Sequence, residues 1–158
     1  MELWNIDSPL GRLEIETSKG VLNAIRFSNK PLKTRESHSK VANVIIQKLE
    51  EYFIHKTINL PFQLAPAGTP FQKKIWNILS EIPLSKTRSY SKIAAQYGNS
   101  KAVRAVGTAI GKNPIMIFIP CHRVIGINGS MVGYAGGLLN KIWLLEHEGF
   151  PTQKTLNL

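Results

Sequence analysis

One cysteine, Cys121, is the only thiol in this 158-residue chain. It cannot close an internal disulfide, and a cysteine-based zinc cluster is excluded with it. The histidines offer no substitute, because His38, His55, His122 and His147 are scattered without the spacing of metal ligands. No metal and no cofactor is therefore expected. Long apolar runs are missing too. The longest, Ile115–Pro120, ends in proline and falls well short of the ~18–20 residues a membrane span needs. Residues Met1–Leu10 lack the basic, apolar and small-residue succession of a signal peptide, so a cytoplasmic location without a membrane partner is expected. Acidic residues are absent from Ile82 to Leu145, a stretch that holds Lys86, Arg88, Lys92, Lys101, Arg104, Lys112, Arg123 and Lys141.

What is present is unevenly distributed. Residues 1–66 carry nine Lys/Arg against seven Asp/Glu, and residues 67–158 carry eleven against three, out of a net charge of +10. A solvated basic face would account for the charge alone; its concentration in one half favours a polyanion, and nucleic acid first. With 43% hydrophobic residues the chain can build a packed core. The composition shift, with Pro61 and Pro66 in Asn59–Gly68 as a linker, predicts two domains, 1–66 and 67–158.

Apolar and polar residues alternate in Leu3–Ile6 and Leu13–Thr17 around a Ser-Pro-Leu-Gly turn at 8–11, and Lys19-Gly20 precedes Val21–Phe27. That pattern predicts a small β-meander. Residues 29–39 read as a loop. Val41, Val44, Ile45, Leu49, Tyr52 and Phe53 recur at helical spacing and predict a helix over Ser39–Ile54. Thr69-Pro70 starts another helix, with threonine as cap and proline at its first position. A short helix at Tyr90–Tyr97, a turn at Gly98-Asn99 and a helix capped by Ser100 and running to about Ile110 form a helix-turn-helix pattern. Many such turns only pack; within an acid-free basic stretch this one predicts a DNA-reading element. Ile115–Ile119 reads as a buried strand that Pro120 ends, so that Cys121 leaves it at a turn. Asn128-Gly129 is a hairpin signal. Tyr134–Gly137 reads as a loop and Leu138–His147 as a final helix that Gly149 terminates.

A thiolate attacks and a thiol hardly does. Cys121 is followed by His122 and Arg123, and this basic neighbourhood is expected to favour the anion. Adjacent residues point in different directions, so a water between Cys121 and His122 is at least as natural as a direct bond. A histidine base needs a partner for its second nitrogen, and in this half of the chain only Glu81, Glu146 and Glu148 could supply one. A free cysteine is more often a small buried hydrophobe than a nucleophile, and the pair alone does not decide between them.

The pattern as a whole does. Ile119-Pro120-Cys121-His122-Arg123-Val124, Gly126, Asn128-Gly129, Gly133-Tyr134-Ala135-Gly136-Gly137, Trp143-Leu144-Leu145 and His147-Glu148-Gly149 together resemble the O6-alkylguanine-DNA alkyltransferases. These are also called methylated-DNA–protein-cysteine methyltransferases. The resemblance continues upstream through Thr69-Pro70-Phe71-Gln72, Trp76, Ser89-Tyr90, Ile93-Ala94, Arg104-Ala105-Val106-Gly107 and Asn113-Pro114, and more loosely through Ser8-Pro9-Leu10-Gly11. It implies an α/β N-terminal domain of ribonuclease-H-like type, followed by a mostly helical domain with a helix-turn-helix. It implies a single-turnover enzyme that repairs DNA by moving a methyl or other alkyl group irreversibly from O6-alkylguanine, with O4-alkylthymine as a second substrate, to Cys121.

The resemblance also implies roles. His122 acts as a water-mediated base, Glu148 orients it, Asn113 organises the turn that places the cysteine, and Tyr90 protonates the departing guanine. Arg104 fills the gap left by the flipped nucleotide, with Tyr90, Ser89, Ala102, Arg123 and Lys101 as further DNA contacts. Tyr134, Val124, Ala135, Gly136 and Met131 line the substrate pocket. The implied partner is double-stranded DNA containing O6-alkylguanine, bound by a monomer, with cooperative binding along DNA left open. Ala135 stands where some members have serine, which removes one hydrogen bond to the guanine. The zinc of some relatives is not expected, nor is the activator role of members with an extra N-terminal segment. A tryptophan marks the non-catalytic binders at the reactive position, and Cys121 argues against that group. The alternative function is a helix-turn-helix protein that binds lesions without chemistry.

Overall fold

The computed structural model describes residues 1–29, 39–131 and 133–151. The loop expected over 29–39 lies, for residues 30–38, outside them. The chain divides into two compact units, Met1–Ala67 and Gly68–Leu158. No described helix is long and apolar enough to cross a membrane.

Among its described residues the first unit holds an antiparallel meander of β1 (Glu2–Ser8), β2 (Gly11–Ser18) and β3 (Val21–Phe27) with one helix, α1 (Lys40–His55). The β1–β2 turn closes at Gly11, whose φ of 107° only glycine adopts without cost. Alternation buries Leu13, Ile15 and Thr17 on β2, and a bulge at Glu16/Thr17 shifts the register against β3. The core adds Trp4, Leu22, Ala24, Ile25, Ala42, Ile45, Leu49 and Tyr52. Ser39 caps α1 by accepting from the Ala42 N–H. The expected linker over 59–68 is not free along its length. The Leu22 N–H donates to Gln63 O at 3.2 Å and Ala65 N–H to Leu22 O at 2.8 Å, which ties Gln63–Ala65 to the start of β3.

The second unit contains α2 (Pro70–Leu79), β4 (Arg88–Ser89), α3 (Tyr90–Tyr97), α4 (Val103–Gly111), a 3₁₀ turn at Cys121–Arg123, β5 (Val124–Ile125) and α5 (Leu138–His147). Thr69 and Gln72 form a reciprocal capping box at the start of α2. Ile75, Trp76 and Leu79 from α2 are buried, as are Ile93 and Ala94 from α3 and Val106, Ala109 and Ile110 from α4. Trp76 ties two of these helices directly, donating from Nε1 to the Ala109 carbonyl at 2.9 Å. Trp76→Phe removes this bond while the carbonyl keeps the Lys112 N–H at 3.2 Å, and is expected to lower unfolding stability by about 0.5–1.5 kcal/mol. Urea unfolding measures this, and an unchanged midpoint would show that the bond does not hold the helices together.

Three local readings are corrected. Ser100 does not cap α4. The Asn99 side chain accepts from Lys101 N–H at 3.0 Å and its carbonyl from Ala102 N–H at 3.0 Å, so the turn consumes Ser100 and the helix starts at Val103. Ile115–Ile119 is buried but is not a strand. It folds into consecutive turns through Phe118 N–H to Met116 O at 2.9 Å and Ile119 N–H to Ile115 O at 3.1 Å, with Ile117 at a φ of 74°. Asn128-Gly129 makes a reverse turn, with Gly129 at a φ of 85°, but no described strand follows it. Instead β5 pairs in parallel with β4, Arg88 against Val124 and Ser89 against Ile125. That pairing sets Ser89-Tyr90 beside the residues that follow Cys121.

Candidate active site

The segment that presents Cys121 is held by one side chain. Asn113 donates from Nδ2 to the Ile119 carbonyl at 2.8 Å and accepts at Oδ1 from the Ile115 N–H at 3.0 Å. Both ends of the five-residue turn are thus pinned to a single amide. The Cys121 N–H then bonds to Ile119 O at 2.8 Å, and Cys121–Arg123 coil into the 3₁₀ turn. Cys121 is 6% exposed. Burial pushes its thiol pKa up; the hydrogen bond from the Asn113 side chain, the charge of Lys141 and the backbone N–H groups of Cys121 and His122 pull the other way. Burial prevails, contrary to the expectation that the basic neighbourhood favours the anion. The resting group is a thiol, and a base must take its proton.

His122 is fully buried, and its Nε2 lies 2.7 Å from Glu148 Oε2. Burial lowers the imidazole pKa, with the Glu148 hydrogen bond opposing it, so the ring is held neutral. A neutral ring donating from Nε2 to the carboxylate leaves Nδ1 as the basic nitrogen. Nδ1 is buried and takes no hydrogen bond among the described residues. Of the three acids open from the sequence, Glu148 is the one brought to the histidine.

Arg123, expected among the DNA contacts, is turned inward. It is 5% exposed, donates from Nε to Glu148 Oε1 at 2.7 Å and from Nη2 to Oε2 at 3.1 Å, and from Nη1 to the Ile82 carbonyl at 2.7 Å. A guanidinium bidentate on a buried carboxylate is unavailable to a phosphate, so Arg123 is a buried structural cation and not a DNA contact. Burial alone would raise the Glu148 pKa. The hydrogen bonds of His122 and Arg123 outweigh it and hold the carboxyl at about 2, below its ordinary 4.5.

Lys141 is also removed from the basic surface. It is fully buried on α5 and donates from Nζ to the Val124 carbonyl at 2.5 Å. Burial draws its pKa down to about 8, with Cys121 acting in the opposite sense. The sequence carries a signal for it. Lys141, Leu144, Leu145 and Glu148 fall at i, i+3, i+4 and i+7 on α5, the spacing of an inward face.

Tyr90, half-buried at the start of α3, sets its hydroxyl over Gly133, where a Cβ would come within 2.9 Å of it, and its ring beside Gly107. Burial and the charge of Cys121 raise its pKa. Tyr134 has a buried hydroxyl without a hydrogen-bond partner among the described residues, and burial, then Cys121 and Glu148, raise its pKa well above the usual value. Val124 and Met131 are buried, Ala135 is exposed, and Gly136 offers its carbonyl to Asn140 Nδ2 at 2.9 Å. Ser89 caps α3 by accepting from Lys92 N–H at 3.1 Å. Lys101 and Arg104 are exposed and Ala102 is half-buried at the start of α4.

The family model described as 6-O-methylguanine DNA methyltransferase, DNA binding domain, matches residues 70–150. This chain belongs to that family. Among the 6-O-methylguanine DNA methyltransferases, it is 43% identical over 148 residues to a methylated-DNA–protein-cysteine methyltransferase of Methanosarcina acetivorans, covering 90% of this chain and 95% of the relative. A methylated-DNA–protein-cysteine methyltransferase of Mycobacterium bovis is 40% identical over 147 residues, covering 90% and 89%. The crystal structure of Mycobacterium tuberculosis OGT in complex with DNA matches with a TM-score of 0.84 and 38% identity over 100% of both chains. Among the described residues, a sheet and one helix before Ala67 and four helices after it are compatible with an α/β first unit and a mostly helical second.

Proposed function

We infer that this protein repairs O6-alkylguanine in duplex DNA by moving the alkyl group to Cys121, once per molecule. The observation that carries this reading is the buried sequence of groups Cys121, His122 and Glu148. In it the imidazole is neutral, fixed at Nε2 by a carboxylate at 2.7 Å and open at Nδ1. The thiol proton passes to His122 through a water, and the sulfur attacks the alkyl carbon. A C–S bond forms, the C–O6 bond breaks, and the guanine leaves with a proton supplied by the Tyr90 hydroxyl. The product is a thioether, which nothing in this chemistry reverses.

A base inside a duplex cannot reach a thiol that is 6% exposed, so the nucleotide must be extruded at a cost of a few kcal/mol. We read α3 and α4 as the helix-turn-helix that does this. The exposed face of α4 carries Arg104, Ala105 and Thr108. Small residues there permit close approach to the groove, and Arg104 fills the gap in the stack. Lys92, Lys101 and Lys112, all exposed, supply phosphate contacts. Tyr134, Val124, Met131, Ala135 and Gly136 wall the guanine pocket. The first unit, with its three-stranded meander and helix, is read as ribonuclease-H-like.

Stoichiometry tests the reading. Titrating the protein into excess O6-methylguanine duplex is expected to remove one lesion per chain and then stop; continued turnover, or no loss of lesion, contradicts it. Arg104→Ala is expected to slow repair of duplex by about tenfold to a hundredfold while leaving reaction with free O6-benzylguanine within about twofold. Equal losses on both substrates would remove Arg104 from the flipping step.

A further inference from the structure

The loop from Ile82 to Thr87 joins α2 to β4 and takes no part in the chemistry above, yet it is bound once to the acid of the site and once to the arginine paired with that acid. The Ile82 carbonyl accepts from Arg123 Nη1 at 2.7 Å. The Ser85 hydroxyl donates to the backbone carbonyl of Glu148. Ser85 holds a φ of 65°, a left-handed conformation that a side chain adopts at a cost. Something in the surroundings must hold it there, and the bond to Glu148 is the contact its side chain makes.

Glu148 lies at the C-cap of α5, where helix carbonyls have no intrahelical partner. The chain reverses at Gly149, with a φ of 87°, and a Cβ there would sit 3.4 Å from Ser85 Oγ. The Ser85 hydroxyl therefore bonds the carbonyl that ends the helix and fixes the rotation of the residue whose carboxylate meets His122 and Arg123 at 2.7 Å each. The far end of the loop enters β4, which pairs with β5 directly after Arg123. Resting on the alkyl-transfer reading, we propose that Ser85 is a positioning residue for that reaction. Through the Glu148 carbonyl it sets the acid that orients His122, and it links that acid to the strand that leads into Ser89 and Tyr90.

Two variants test this. Ser85→Ala removes the hydroxyl and keeps the backbone cost; Ser85→Gly removes both and folds at least as readily. The measurements are the single-turnover methyl-transfer rate at saturating duplex, the duplex affinity, and the downfield proton resonance of the His122 Nε2–H. Both variants are expected to transfer about fivefold more slowly, as for one lost hydrogen bond. Duplex affinity is expected to hold, and the His122 resonance to move upfield as its bond to Glu148 lengthens. A Ser85→Gly protein as fast as wild type overturns the inference, since the serine would then serve only the turn. Slower transfer with an unmoved His122 resonance overturns it as well. Wild-type protein that accepts no methyl overturns the proposed function and this inference with it, whereas wild-type transfer matched by both variants overturns the inference alone.

Discussion

Cys121→Ser abolishes methyl transfer, by on the order of a thousandfold or more, and leaves affinity for duplex DNA within about twofold. The thiol pKa is already raised by burial, and a serine hydroxyl in the same place is a far weaker acid that a neutral imidazole cannot deprotonate usefully. The shape of the site barely changes, so the fold and the surface are preserved. On the proposed reading the phosphate contacts fall to exposed cations on α3 and around α4, not to the buried Cys121. Rapid-quench assay with a methylated duplex and a fluorescence titration of the same duplex separate the two effects. Loss of both together would mean that Cys121 holds the DNA-binding surface in shape rather than performing chemistry.

The second large effect concerns Glu148. Its carboxylate is shared by His122 and Arg123, all three buried. Arg123→Ala removes the counter-charge, frees the Ile82 carbonyl and leaves an ionised carboxylate in the interior. Breaking such a pair from one side costs about 3–5 kcal/mol, which lowers the melting temperature by about 6–20 °C. Glu148→Gln keeps the shape and strands the guanidinium instead, and it also slows transfer, because His122 loses the acceptor that fixes its tautomer.

The acid limb of stability carries the signature of the same group. A carboxyl at about 2 in the folded state against 4.5 unfolded contributes about 3 kcal/mol. That contribution is complete above pH 4.5 and is lost as pH falls towards 2. His122 acts in the same direction from higher pH, because its folded pKa lies below 6.5 and the unfolded chain takes up the proton first. Stability therefore declines from about pH 6.5 downwards, and Glu148→Gln flattens the part of the curve below 4.5. Denaturant unfolding across that range measures it; an acid limb identical in the variant would show that Glu148 is not the ionised partner of Arg123.

Much of this was legible in the sequence where one local rule sufficed. Tyr90–Tyr97 and Leu138–His147 have the bounds their apolar spacing implies, and the meander follows from alternation and turn residues. The apolar run Ile115–Ile119 misled because hydrophobicity reports burial and not backbone shape. Its fold is dictated by the Asn113 side chain reaching both ends, and Ile117 has a φ that nothing about isoleucine suggests. Arg123 and Lys141 misled for a related reason. A window without acids looks like a DNA-facing surface, but the acid that answers Arg123 stands just beyond it at 148, and Lys141 finds a backbone carbonyl instead. Which cation points inward is decided by tertiary contacts, and only the helical phase of Lys141 on α5 hints at it. The same holds for Ser85, a loop serine whose importance depends on a carbonyl 63 residues away.

An alkyl acceptor at Cys121 keeps the methyl as a thioether. Intact-mass measurement after incubation with an O6-methylguanine duplex, followed by mapping of the modified peptide, locates it. One added methyl per chain, on the peptide containing Cys121, is the predicted result. Protein that binds the lesion and remains unmodified, or that carries the methyl on any other residue, would contradict it.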